Sequence, residues 1–305
     1  MLQNNILITG IGGFLGQHLS DYLSKKGFNV IGVGRIKSKV HGTLKVYNLS
    51  LPNEKLKDIL QQYKPDILIH CASTSSVNDS VLYPYDDFRN TVDVCAYILE
   101  SIREKCPKCK FIYFSSAAVY GNPISLPISE DSICKPISPY GYHKLLCEML
   151  IKEYSGLFGI NSVVLRIFSA YGEGLRKQVI YDLCRKLTSG TESIEVYGNG
   201  SESRDFIHTE DICRAVELVI NKDIKGTFNL ASGREISISM LVKNLKEFLK
   251  SNKRIEYKGE IRLGDPENWK ADMTRLKING FNPIISFEQG LERYCKWYVG
   301  GIRDE

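Results

Sequence analysis

No run of about 18 apolar residues occurs anywhere in the chain, and no basic segment leads into a long apolar stretch. A membrane-spanning helix and a secretory signal are therefore not expected, and a cytoplasmic protein is. Dense basic runs are missing too: the net charge is +5 with Lys and Arg scattered, which speaks against a nucleic-acid partner. Pro (10) and Gly (25) are too few among 305 residues for a low-complexity segment. The nine cysteines are odd in number and follow no framework spacing, so reduced thiols are expected rather than a disulfide scaffold. One CxxC is present, Cys106-Pro-Lys-Cys109. It lacks the second ligand pair that zinc requires, and it leads into an apolar strand instead of opening a helix as a redox motif would. It reads as a loop with two thiols, and no metal is expected.

What remains is an ordinary globular composition, 43% hydrophobic and 25% charged, in a chain long enough for two units. Strands and helices alternate. Ile6 to Thr9 is a short apolar run, followed by glycines and by Leu15, Leu19, Tyr22 and Leu23 at helical spacing, and Gly27 stops that helix before the strand Val30 to Val33. Asp66 to His70, Phe111 to Phe114 and Ser162 to Ile167 are further buried strands, with helical periodicity over 54–63, 86–104 and from Tyr140 onward. The pattern predicts an α/β fold, a Rossmann-like doubly wound parallel sheet with right-handed crossovers. Beyond about residue 173 the pieces shorten: helices near 176–188, 209–221 and 239–250, strands at Ile194 to Tyr197 and Gly226 to Leu230, and an apolar-periodic Phe287 to Tyr298. Residues 1–172 are thus assigned to dinucleotide binding. Residues 173–305 form a smaller C-terminal α/β substrate lobe, with some segments returning to the large sheet.

Two strings carry the chemistry. In Thr9-Gly10-Ile-Gly-Gly13-Phe14-Leu15-Gly16, the glycines permit a tight turn and close backbone approach, and the helix that follows aims its N–H groups at a phosphate. Gly10, Gly13, Phe14, Leu15 and Gly16 are assigned to a dinucleotide. After the second strand a protein using NAD carries an acid for the ribose 2′-hydroxyl, whereas this chain reads Val33-Gly34-Arg35. Arg35 suits a 2′-phosphate, with Lys37 and Lys39 nearby, so NADP(H) is favoured over NAD(H). The second string is Tyr140-Gly-Tyr-His-Lys144. Positions i and i+4 share a helix face, and an ammonium beside a phenol favours the phenolate, the form that accepts a proton when a hydride leaves. The strand 111–116 delivers Ser115 and Ser116 to its carboxyl end to bond a substrate carbonyl or hydroxyl. Ser116, Tyr140 and Lys144 are the candidate catalytic residues, and the latter two also face the cofactor.

With these motifs, and with PDILIHCAS at 65–73, SSAAVYG at 115–121, LRIFSAYG at 165–172 and VYGNGSESRDFIHTEDI at 196–212, the chain resembles the extended short-chain dehydrogenase/reductase family. The likeness is to its nucleotide-sugar epimerase/dehydratase group and covers nearly the full length. The resemblance implies that Asn48 and Leu49 flank the adenine, that Cys71, Ala72 and Ser73 line the cofactor channel, and that Asn90 supports the site. It also implies that Arg204 contacts a nucleotide diphosphate with Arg262 as a second anchor. Ser169 stands where the family carries an asparagine on the substrate wall, and Glu173 where it carries a proline. His143 replaces the commoner serine and receives no role. Ala117 and Ala118 occupy the positions of the Asp-Glu pair with which family dehydratases remove water, so dehydration is disfavoured.

The first expectation is NADPH-dependent reduction of a nucleotide-linked 4-keto-6-deoxy sugar with Tyr140 as proton donor. The alternative is an NAD(P)-dependent nucleotide-sugar 4-epimerase, in which the same residues oxidise and re-reduce the sugar. The missing acid after the second strand tilts the choice to the reductase. Reduction of a small aromatic carbonyl and a nonenzymatic NADP sensor are weaker readings; the paired arginines and the complete Ser116/Tyr140/Lys144 set count against them. A nucleotide-diphosphate sugar is the expected partner, and the family's dimeric four-helix interface is expected through the helices near 86–104 and 140–156.

Overall fold

Asn5–Thr9 (β1) is buried from its second residue onward, as a strand covered on both faces must be. It belongs to a computed structural model that describes residues 4–36, 39–74, 76–260, 264 and 266–303. The glycine turn leads into α1 (Phe14–Lys25), then β2 (Asn29–Gly34), β3 (Lys45–Asn48), α2 (Lys55–Tyr63) and β4 (Ile67–His70). Next come α3 (Val77–Leu82), α4 (Pro84–Phe88), a π-helical turn (Arg89–Asp93) and α5 (Val94–Lys105). β5 (Lys110–Ser116), a 3₁₀ turn (Ala117–Val119), α6 (Pro139–Phe158) and β6 (Ser162–Ile167) follow. The rest comprises β7 (Ser169–Tyr171), α7 (Gln178–Leu187), β8 (Ser193–Val196), β9 (Ser203–His208), α8 (Thr209–Asn221), β10 (Gly226–Leu230), β11 (Glu235–Ser237), α9 (Ile238–Phe248), β12 (Arg254–Tyr257), α10 (Thr274–Ile278) and α11 (Phe287–Arg303).

Seven parallel strands form the main sheet in the order β10-β6-β5-β4-β1-β2-β3. The order reverses between β1 and β4, and at such a point the connections leave in opposite directions and open a crevice at the strands' carboxyl ends. Alternate residues face opposite layers. Ile6, Ile8, Ile69, Ile112 and Leu165 pack with Leu19 and Leu23 of α1 and Ile212, Val216 and Val219 of α8. Leu7, Leu68, Phe111 and Val164 pack with Leu60 of α2, Ile98, Leu99 and Ile102 of α5 and Ile151 of α6. A third cluster joins Leu183 of α7, Phe206 of β9, Leu241 and Leu245 of α9 and Leu291 and Tyr294 of α11. The last strand of the main sheet, β10, arrives from far along the chain to pair with β6. Two smaller sheets, β11-β9-β7 and β12-β8, lie in the C-terminal half. No helix among the described residues is long and apolar enough to cross a membrane.

Two differences from the sequence reading concern elements around the site. The single helix expected over 86–104 is a succession of α4, the π turn and α5, because a π turn adds a residue without changing composition and so leaves no mark on a 3.6-residue period. The strand β3 was not anticipated. Its half-exposed residues give no apolar alternation.

Candidate active site

The glycine turn is fastened to β2: the Gly10 and Ile11 amides donate to Val33 O at 2.8 and 3.3 Å. Gly10 adopts φ +72°, and a Cβ there would stand 2.6 Å from Ala72 N. The segment after β4 is therefore pressed against the turn at the reversal point. A Cβ on Gly12 would run 2.3 Å from Arg35 O, and one on Gly16 would lie 2.4 Å from Gly10 O. Gly12 thus matters as much as its assigned neighbours, although the spacing by three passes over it. Gly13 caps α1 with no side chain, and the first turn, Phe14 to Gln17, holds no acid. The open N–H groups and positive end of α1 suit a pyrophosphate, and the turn fits a dinucleotide. Phe14 packs toward the C-terminal cluster and Leu15 into the sheet core.

Pairing of β2 with β3 sets Gly34 opposite Asn48, and Asn48 Oδ1 accepts the Ile36 amide at 3.0 Å while Leu49 N donates to Gly34 O at 3.1 Å. The exposed Arg35 and the Asn48–Leu49 pair are therefore neighbours at one crevice end. Asn90 lies on the π turn, its amide donating to Asp86 O at 2.7 Å. It lines a cavity of about 170 Å³ with Leu51, Pro52, Asp86, Arg89 and Asp93. Cys71 continues from β4, its amide on Thr9 O at 3.1 Å. Burial pushes its thiol well above the usual range, despite the opposing charge of Lys144, so it is a neutral wall. Before it, His70 Nδ1 meets Thr9 Oγ1 at 2.7 Å.

The helix that carries Tyr140 and Lys144, α6, starts with Pro139, and Ser138 Oγ accepts the Gly141 amide at 3.2 Å. The Tyr140 amide donates to Ser80 Oγ at 3.1 Å, which ties the helix start to α3. One turn on, Lys144 is 4% exposed. Its ammonium donates to Phe114 O at 2.8 Å and Ser73 Oγ at 2.9 Å and lies 5.8 Å from the Tyr140 ring centroid. Two of three ammonium protons are thus spent on β5 and on the segment after β4, and the ammonium also lies 5.0 Å from the Tyr113 ring centroid. Ser116 Oγ accepts the Ala118 amide at 3.2 Å, which leaves its hydroxyl proton for donation. Ala117 and Ala118 are buried in the 3₁₀ turn.

Ser115 departs from expectation. Successive strand residues point to opposite faces, and its Oγ donates to Glu148 Oε1 at 2.5 Å in a buried network. Arg166 donates to that carboxylate from Nε and Nη2, at 3.0 and 2.7 Å, and to Tyr120 Oη at 2.8 Å. Ser115 therefore holds β5 to α6 and β6 and does not face the cleft. Ser169 is half-buried on β7, opposite Phe206 of β9. Arg204 lies over the Trp269 ring, 5.7 Å from its centroid, with Nη1 donating to Ser203 O and Glu267 O. Arg262 and Lys37 lie outside the described residues. Glu173, where the family has proline, bonds His208 Nε2 at 3.1 Å and Arg293 Nε at 2.8 Å.

A glycine turn at the reversal of a parallel sheet, with a Tyr-x-x-x-Lys helix beside it, defines an α/β enzyme of the dinucleotide-binding class. The chain belongs to the NAD dependent epimerase/dehydratase family, whose match spans residues 6–231. It is similar over 98% of its length to a putative UDP-glucose 4-epimerase of Methanocaldococcus jannaschii, at 28% identity and 99% of that protein. Among solved structures it resembles the UDP-glucose 4-epimerase of Thermotoga maritima with UDP-glucose (TM-score 0.90, 30% identity, 98% of this chain and 99% of that one). It also resembles the UDP-glucuronic acid 4-epimerase of Bacillus cereus in complex with UDP-glucuronic acid and NAD (TM-score 0.89, 25% identity, 97% and 99%). These neighbours back the second of the two expected activities over the first, and an NADP preference finds no support among them.

Proposed function

We propose that the protein is a UDP-sugar 4-epimerase that retains NAD. The observation that supports the reading is the Lys144 ammonium, bonded to β5 and to Ser73 after β4 and 5.8 Å from the Tyr140 ring centroid, in a chain similar to UDP-sugar 4-epimerases along nearly its whole length. Bound NAD supplies the acceptor, and then the donor, of the C4 hydride. Tyr140 Oη takes the proton of the sugar's 4-hydroxyl and, once the keto sugar has turned its other face for re-reduction, returns that proton to the 4-oxygen. Ser116 donates to the 4-oxygen, and the Lys144 ammonium holds negative charge on Oη as the proton moves. Epimerisation loses no water, so it needs no acid-base pair where Ala117 and Ala118 stand. Gly10, Gly13, Gly16, Arg35, Asn48, Leu49, Cys71, Ala72, Ser73 and Asn90 take the cofactor side, while Ser169, Arg204 and Arg262 from the segment-rich C-terminal half take the nucleotide sugar.

One observation favours the reductase as a second reading: Arg35, not an acid, directly follows β2. A panel of UDP-glucose, UDP-N-acetylglucosamine and UDP-glucuronate separates the two. With NAD present at catalytic amount, NMR is expected to show the 4-epimer with no net cofactor change. Tyr140→Phe is expected to lower turnover by about a hundredfold or more. Stoichiometric NADPH consumption on a nucleotide 4-keto-6-deoxy sugar, with no epimer formed, returns the reductase.

We also propose a homodimer through α5 and α6. On α6, Tyr142, Met149, Leu157 and Phe158 are 54%, 61%, 73% and 48% exposed, more apolar surface than a helix facing water presents.

A further inference from the structure

His143 and Lys144 are adjacent on α6, and both end on the same short segment after β4. Lys144 Nζ reaches Ser73 Oγ directly, at 2.9 Å. His143 reaches the next residue through a carboxylate: its Nδ1 bonds Asp87 Oδ2 at 2.5 Å, and Asp87 Oδ1 accepts from Thr74 Oγ1. Ser73 Oγ donates in turn to Thr74 O at 2.7 Å, and Thr74 Oγ1 also meets Thr91 Oγ1 on the π turn at 3.3 Å. The bonds close a ring: α6, Ser73–Thr74, Asp87 of α4 and back to α6. Asp87 is 2% exposed and the His143 side chain 13%, and the imidazole stands edge-on to Phe88 with centroids 5.6 Å apart. A buried carboxylate with two donors aimed at it is a rigid joint, since losing either donor leaves a charge unsatisfied.

We propose that His143, acting through Asp87 and Thr74, is a positioning residue that fixes the Ser73–Thr74 segment and thereby the ammonium of Lys144. Lys144 has a long flexible stem, and of its two acceptors Phe114 O is part of the sheet while Ser73 Oγ sits on a loop. The ring turns that loop into a fixed wall. The π turn contributes by carrying Thr91 to Thr74. This role rests on the reading of Lys144 given above.

The test uses the full-length protein with His143→Leu, Thr74→Val and His143→Asn. Asn places an N–H donor where Nδ1 stands, and Leu and Val keep bulk while removing the bond. The first readout needs no turnover: the acylation rate of Lys144, measured by peptide mass spectrometry against exposed Lys152 as internal standard. It is expected to rise several-fold in the Leu and Val variants and to return near wild type in the Asn variant. The second is epimerisation of UDP-glucose with NAD, where kcat is expected to fall about tenfold with KM within about twofold, again rescued by Asn. Wild-type labelling and kcat in both His143→Leu and Thr74→Val overturn the inference, as does failure of Asn to rescue. Should His143→Leu not fold, Thr74→Val alone decides. Should the wild type convert no nucleotide sugar, the proposed activity falls while the labelling still judges the ring.

Discussion

At the residue scale, the charge of Lys144 acts backward on a buried imidazole. His70 is fully buried at the end of β4, and burial first, with the charge of Lys144 second, pushes its imidazole down to about 3. An unfolded chain protonates it near the ordinary value of about 6.5. Between those values the unfolded state binds a proton that the folded state refuses, so the contribution of His70 to stability is complete above pH of about 6.5 and is lost as pH falls toward about 3, with a slope of up to about 1.4 kcal/mol per pH unit. Urea midpoints across that window are expected to fall with acid. In His70→Asn that limb is expected to flatten, and parallel limbs in the two proteins would remove His70 as its origin. The glycines and the Tyr/Lys pair were legible at this scale because each type is forced by its chemistry. The partners of Lys144 were not: Ser73 and Phe114 lie 71 and 30 positions away, and a spacing rule sees only one helix at a time.

At the scale of elements, the start of α6 sets where the Tyr140 phenol can go. Ser138 is 3% exposed and caps the helix two residues before Tyr140, with Pro139 supplying a preset φ. Ser138→Ala is expected to cost about 1 kcal/mol and to lower the melting temperature by about 1.5 °C in a chain of this size. Amide exchange at Gly141, read by NMR, is expected to quicken. An unchanged melting curve together with unchanged exchange would show that the cap contributes nothing. The strand-helix alternation behind this placement was readable because buried parallel strands are written as short apolar runs. The π turn, the short β7 and β11 and the half-exposed β3 were not, since each is too brief or too polar for its period to register. Ser115 shows the same limit: the strand end was read as delivering both serines to the substrate, and the partner that turns Ser115 away, Glu148, lies 33 positions on.

At the scale of the whole molecule, the proposed dimer rests on the exposed apolar side chains of α6. Sedimentation velocity is expected to give a species of twice the chain mass, and Met149→Glu with Leu157→Glu is expected to yield a monomer with an intact fold. A wild-type monomer at micromolar concentration would remove the four-helix interface. The overall architecture was legible from alternation, whereas the choice between epimerase and reductase was not. Both chemistries use one set of atoms, and a single cation after β2 carried more weight in the sequence than its exposed position supports.

Because β10 fills its place beside β6 only after some sixty further positions have been added, a ribosome making this protein holds a nearly finished sheet with one raw edge for several seconds at ordinary elongation rates. Until residues 226–230 emerge, β6 presents unpaired N–H and C=O groups to any other strand nearby.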